Sequence, residues 1–112
     1  MITITGAAGF IGSALVARLH ADGFNDIVLV DDFKARPDKA RNHEHRPCVA
    51  RIDRQDFPQW LRANEGQVQF VFHLGARTDT TEQDRGIFDQ LNLSYSQEIW
   101  RLCHEFGLPM VY

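Results

Sequence analysis

The chain has 112 residues, enough for one domain with one modest core. Apolar residues make up 44% and charged residues 24%, a globular balance that excludes intrinsic disorder and collagen-like character. Net charge is −3, which argues against a general nucleic-acid binder, and apolar runs such as Ile27–Val30 and Phe70–Phe72 are far too short to span a membrane. Met1-Ile-Thr-Ile-Thr-Gly6 has neither a basic run nor a cleavage signature, so export is not expected. Cys48 and Cys103 have no metal-ligand spacing and read as two reduced thiols of a cytoplasmic protein with no metal site.

In chain order, Ile2-Thr-Ile-Thr5 is a β-branched run ending at glycine and predicts a strand. Gly6-Ala-Ala-Gly9-Phe-Ile-Gly12 leads into a helical pattern, with Ile11, Leu15 and Leu19 four apart on one face and Val16 beside them. Gly23 fits the stop of that helix. Ile27-Val-Leu-Val30 is apolar throughout, as expected of a strand buried on both faces of a parallel sheet. The polar segment Lys34–Pro47 reads as a long loop with one helical turn at most. Cys48–Ile52 predicts a third strand, and Asp56 is placed to cap a short helix that faces Phe57, Trp60 and Leu61 inward and ends at Gly66. Val68–Leu74 predicts a fourth strand. From Ile87 to Phe106 the residues Phe88, Leu91, Tyr95, Ile99, Leu102 and Phe106 are separated by 3, 4, 4, 3 and 4 positions, which keeps one apolar stripe on a long helix. Gly107 and Pro109 end it, and Met110-Val-Tyr112 begins a fifth strand. Alternating strands and helices with apolar strands predict an α/β fold, the N-terminal portion of a doubly wound parallel-sheet Rossmann fold of about five strands, with its active edge at the C-terminal strand ends.

Gly6, Gly9 and Gly12 lie between a strand and a helix. A pyrophosphate must approach the backbone N–H groups of a helix N-terminus, and a β-carbon would block it. The spacing is G-x-x-G-x-x-G, and its place after the first strand points to a dinucleotide. Asp31 ends the second strand 19 residues after Gly12, where a carboxylate can accept hydrogen bonds from ribose hydroxyls, with Asp32 beside it. Taken alone, Asp31 favours NAD, because it repels a 2′-phosphate. Lys34, Arg36 and Lys39 offset that repulsion, so charge leaves the choice between NADP and NAD open. Lys34 to Arg54 carries seven basic residues against three acidic ones in an otherwise acidic chain, which suits a phosphorylated small ligand better than a duplex. After the fourth strand, Gly75 and Ala76 are small where the backbone would pass the cofactor, and Thr78, Thr80 and Thr81 put hydroxyls at the active edge. His73 reads as a packed, hydrogen-bonded residue rather than a catalytic one. Asn92, between Leu91 and Leu93, would need backbone partners if buried.

Together these residues resemble the extended short-chain dehydrogenase/reductase superfamily of NAD-dependent epimerases and dehydratases. The resemblance rests on TGAAGFIG (Thr5–Gly12), VDDF (Val30–Phe33), FHLGA (Phe72–Ala76) and Asn92, and covers essentially the whole chain. Within the superfamily the chain is most similar to the ADP-glyceromanno-heptose 6-epimerases, through Lys39-Ala-Arg-Asn42, Asp53-Arg-Gln-Asp-Phe57 and Gly75-Ala-Arg-Thr-Asp-Thr-Thr-Glu82. The resemblance implies carbohydrate metabolism directed at lipopolysaccharide, NADP as cofactor with NAD as the alternative, and a nucleotide-sugar substrate in the complete protein. It further implies inversion of a sugar carbon by transient oxidation and reduction, and a homo-oligomer. It implies cofactor contacts at Phe10, Ile11, Asp31, Asp32, Lys39, Arg54, Leu74, Gly75, Ala76, Arg77, Thr78 and Asn92, with Thr80 and Thr81 toward the substrate. Arg54 stands where the family has lysine, and Arg77 where it has a small residue.

The superfamily's chemistry uses a Tyr-x-x-x-Lys pair, in which the lysine lowers the pKa of a proton-exchanging tyrosine. Tyr95 is followed four positions later by Ile99, Tyr112 by nothing, and no lysine lies beyond Lys39. Residues 1–112 are therefore expected to be an incomplete dinucleotide-binding domain with no catalytic residue of its own and no turnover alone. The alternatives are the same part of another sugar epimerase or dehydratase, or a non-catalytic dinucleotide-binding module.

Overall fold

The computed structural model describes residues 1–7, 9–33, 48–74 and 85–111; the side chains of Phe10 and of residues 85–93 lie outside that description. Its elements are β1 (Ile2–Thr5), α1 (Phe10–Ala21), β2 (Ile27–Asp31), β3 (Ala50–Asp53), α2 (Phe57–Asn64), β4 (Phe70–His73), α3 (Arg85–Phe106) and β5 (Met110–Val111). The strands form one five-stranded sheet in the order β3-β2-β1-β4-β5, and every pairing is parallel.

Side-chain alternation along β2 shows why that strand is apolar throughout. Ile27 and Leu29 join Ile4, Ala7 and Val16 in a core against α1. Val28 and Val30 join Phe57, Leu61, Val71, Ile99, Leu102 and Cys103 in a second core against α2 and α3. Helices thus cover both faces of the sheet, the doubly wound α/β arrangement predicted from the sequence. On β1, Thr3 takes a buried position and satisfies its hydroxyl by donating to the Phe70 carbonyl at 3.2 Å.

Two helix ends follow from glycine. Gly23 (φ +92°) and Gly107 (φ +67°) adopt the left-handed conformation that other residues resist. After α1, Gly23 N donates to His20 O and Phe24 N to Leu19 O; after α3, Gly107 N donates to His104 O and Leu108 N to Cys103 O. Both are Schellman motifs, which satisfy the last free carbonyls of each helix.

Several local expectations are corrected. Ile11 is 60% exposed rather than core-facing, whereas Gly12 and Val16 are buried. Leu15 and Leu19 are half-buried and pack against the core beside Val16 as expected, so only Ile11, in the first turn of the helix, departs from the stripe. β3 starts at Ala50, not Cys48, and β4 at Phe70, not Val68. Asp56 stands at the N-cap of α2, but its carboxylate makes no capping hydrogen bond. Asp53 Oδ2 instead accepts from Gln55 N at 3.1 Å, bracing the turn one step earlier. α2 ends at Asn64 rather than through a left-handed Gly66; Asn64 Nδ2 donates to the Trp60 carbonyl at 2.9 Å.

Candidate functional site

The C-terminal ends of the strands form one edge of the sheet. β1 lies between β2 and β4, so the chain departs to opposite sides after β1 and after β4. Such a divergence is the place where open α/β sheets take ligands. Gly6 follows β1 and Leu74 follows β4. Ala7 N donates to Val30 O and Leu74 N to Thr5 O, each at 3.2 Å, so the Gly6 turn and Leu74 are both tied to strand ends.

The three glycines of the first turn have different physical roles. Gly6 has φ +68°, a conformation that favours glycine. A β-carbon on Gly12 would fall 2.0 Å from Gly6 O, 2.8 Å from Gly6 C and 2.9 Å from the Ala7 Cα, all backbone. Gly12 is therefore what lets α1 seat against the turn. Gly9 differs from both. Its backbone is extended (φ −74°, ψ 174°), it is exposed, and among the described residues an added β-carbon would meet nothing nearer than Gly6 O at 3.4 Å. Packing among the described residues does not require glycine there. Smallness at Gly9 keeps the N-terminus of α1 open to a group outside the chain. That helix starts with no side-chain cap and no acidic residue in its first turn, so its amide end is suited to an anion. Ser13 Oγ donates to the Ala7 carbonyl at 3.2 Å and braces the turn. Phe10 opens α1, and the exposed Ile11 stands beside it.

Asp31 ends β2, only 8% exposed, and its Oδ1 accepts from Asp32 N at 2.7 Å. Its register partner is Asp53, the equally buried last residue of β3. Arg54 N donates to Asp31 O at 2.9 Å, and the Arg54 guanidinium carbon lies 4.4 Å from the centroid of the Tyr95 ring on α3. Burial holds the Tyr95 phenol well above its ordinary range, opposed by Arg54, and among the described residues its Oη has no hydrogen-bond partner. A phenol so held keeps its proton, so Tyr95 is unsuited to be a general base at neutral pH. A groove of about 530 Å³ between α2 and α3, lined by Gln55, Pro58, Gln59, Arg62, Tyr95 and Glu98, flanks this stack and stands apart from the glycine turn.

His73 is buried and hydrogen-bonded: Nδ1 lies 2.7 Å from Thr5 Oγ1 and Nε2 2.8 Å from Ser96 Oγ. Burial first, and the nearby Arg54 charge second, lower its pKa to about 4.

The structure thus places Gly6 and Gly9 in the turn after β1, Phe10, Ile11 and Gly12 in the first turn of α1, Asp31, Asp32 and Arg54 at the ends of β2 and β3, and Leu74 after β4. Asn92 lies on α3, its side chain outside the description. Lys39, Gly75, Ala76, Arg77, Thr78, Thr80 and Thr81 lie outside the described residues. Among the described residues no group of His, Cys, Asp and Glu is arranged to hold a metal, and no helix is long and apolar enough to cross a membrane. Sequence reasoning missed Asp53, Tyr95 and Ser96 as neighbours of this edge. Asp53 carried a signal, a second acid one residue before Arg54, whereas Tyr95 fitted the apolar stripe of α3 too well to stand out.

The sequence pattern of the NAD dependent epimerase/dehydratase family matches residues 2–112. An ADP-L-glycero-D-manno-heptose-6-epimerase of Cupriavidus pinatubonensis is 46% identical over 112 residues, which cover 99% of this chain and 34% of that protein. Its counterpart in Alkalilimnicola ehrlichii is 39% identical over 114 residues, 100% of this chain and 35% of that protein. The chain therefore spans about a third of the length of the curated relatives it matches. The solved UDP-glucuronic acid 4-epimerase from Bacillus cereus, in complex with NAD, has the same fold over 96% of this chain and 37% of its own, with a TM-score of 0.68 at 24% identity. A glycine turn at the sheet's switch point and a family pattern matched over nearly every residue converge on one assignment: the chain belongs to the NAD-dependent epimerase/dehydratase family.

Proposed function

We propose that this chain is the dinucleotide-binding portion of a nucleotide-sugar epimerase, an ADP-glyceromanno-heptose 6-epimerase, and that it takes NADP, or less well NAD. The observation that carries dinucleotide binding is the contrast between Gly12, which backbone packing requires, and Gly9, which packing among the described residues does not. A bound nicotinamide would supply the chemistry, taking a hydride from the sugar carbon and returning it to the opposite face. The chain's own contribution is to bind and orient. The amide end of α1 receives the pyrophosphate between Gly9 and Gly12, and Asp31 and Asp32 accept from the adenosine ribose. The family resemblance assigns further cofactor contacts to Leu74, Gly75, Ala76, Arg77, Thr78 and Asn92, and substrate contacts to Thr80 and Thr81.

NADP over NAD is supported by the resemblance to the ADP-glyceromanno-heptose 6-epimerases, since Asp31 and the basic residues between Lys34 and Arg54 oppose each other in charge. The heptose substrate is supported by relatives of that name at 39% and 46% identity. Proton exchange with the sugar is assigned to residues outside this sequence, because the chain holds no Tyr-x-x-x-Lys pair and Tyr95 is held protonated. Assay of the purified chain with ADP-heptose is expected to give cofactor binding and no turnover. Measurable epimerisation would overturn the assignment of the catalytic groups, and absence of dinucleotide binding would overturn the reading as a whole.

A further inference from the structure

His73 joins three segments at one point. It is the register partner of Thr5, the last residue of β1 before the Gly6 turn. It precedes Leu74, whose N–H donates to the Thr5 carbonyl at 3.2 Å. Its ring is engaged at both ends, by Thr5 Oγ1 at 2.7 Å and by Ser96 Oγ of α3 at 2.8 Å, and the residue is 3% exposed. An apolar side chain of similar size would fill this space without joining the strands to the helix. The imidazole projects two hydrogen-bonding atoms in fixed, nearly opposed directions, which is what a link between a strand end and a helix needs.

We propose that His73 is a positioning residue for the dinucleotide cradle: by bridging Thr5 and Ser96 it holds the Gly6 turn and Leu74 in fixed relation to α3. The inference rests on the dinucleotide-binding reading above and adds a residue that touches no ligand. The charged and titratable groups facing the ring are the Arg54 guanidinium from the β3–α2 turn and Tyr95 from α3, its ring centroid 5.9 Å away. With the pKa lowered to about 4, the ring is neutral at physiological pH, so one nitrogen donates and the other accepts, and each hydroxyl takes the complementary role.

The test is amide hydrogen exchange on the ligand-free protein, with His73→Leu, His73→Gln and Ser96→Ala, followed by NAD and NADP titration. His73→Leu is expected to speed exchange at Ala7 and Leu74 by about tenfold or more relative to Val28 and Leu29 in β2. Ser96→Ala gives a smaller local increase, and His73→Gln, which keeps a donor and an acceptor, restores part of the protection. Affinity for the dinucleotide falls in the same order. Unchanged protection at Ala7 and Leu74, or equal acceleration in every strand, would make His73 an ordinary core residue and overturn the proposal. If His73→Leu does not fold, Ser96→Ala decides alone, and unchanged exchange there overturns it. Should the wild-type chain bind no dinucleotide, the functional reading fails, while the exchange data still decide whether His73 holds the Gly6 turn and Leu74.

Discussion

Gly12→Ala tests the packing of the phosphate turn most sharply. The new methyl would lie 2.0 Å from Gly6 O, where an ordinary contact begins near 3.4 Å. The atoms it meets are all backbone, so no side chain can swing aside. The start of α1 must move by roughly 1 Å or more, or the Gly6 turn must open. Overpacking a tight site costs about 1–3 kcal/mol, and a backbone clash belongs at the upper end of that range. For a domain of this size, about 3 kcal/mol lowers the melting temperature by roughly 10 °C or more. Gly9→Ala provides the contrast, because among the described residues its methyl meets only Gly6 O at 3.4 Å and its φ of −74° suits any residue. Its stability should stay within about 1 kcal/mol of wild type. Thermal and urea unfolding followed by circular dichroism measure both. A Gly12→Ala protein as stable as wild type, or a Gly9→Ala protein destabilised equally, would refute the division of roles between the two glycines.

Three further outcomes are expected. Lys39→Glu should weaken NADP much more than NAD, because only NADP carries the 2′-phosphate; equal weakening in calorimetric titrations would remove Lys39 from the site. For His73, the unfolded chain takes up a proton near the ordinary 6.5 and the folded chain only near 4, so between those values the unfolded state binds more protons. The His73 contribution to stability is therefore complete above about pH 6.5 and is lost as pH falls toward 4, by up to about 3 kcal/mol, a slope that His73→Gln should flatten in urea unfolding at stepped pH. Identical pH slopes for the two proteins would contradict that sign and cause. The purified chain should show no epimerase turnover with ADP-heptose in a coupled assay, and a rate above the enzyme-free control would show that proton exchange resides within these residues.

Much of the fold was legible because parallel strands and amphipathic helices leave strong periodic marks. Ile27–Val30 announced a strand covered on both faces, and Gly23 and Gly107 announced helix ends through a conformation few other residues accept. Less legible were features set by tertiary contact. Gly12 approaches the Gly6 turn through backbone contact that no side-chain spacing reveals, and Ile11 beside it faces out while Leu15 and Leu19 pack inward. Asp56 looked like a helix cap, but its backbone is already helical (φ −90°, ψ −13°) rather than extended, and Pro58 offers no N–H in the first turn. In the candidate site, the glycine turn and Asp31 were readable from local order alone. The Arg54–Tyr95 stack and the Thr5–His73–Ser96 link were not, because each joins residues far apart in sequence that only the sheet order brings together.

The most direct measurement is calorimetric titration of the chain with NAD and with NADP, alongside Gly9→Val. A saturable one-to-one isotherm with the wild-type protein, stronger for NADP, and its loss in a Gly9→Val protein that keeps its circular dichroism spectrum, is the predicted result. No binding of either dinucleotide by the folded wild-type chain, or affinities that Gly9→Val leaves unchanged, would contradict the claim that the turn after β1 is a phosphate cradle.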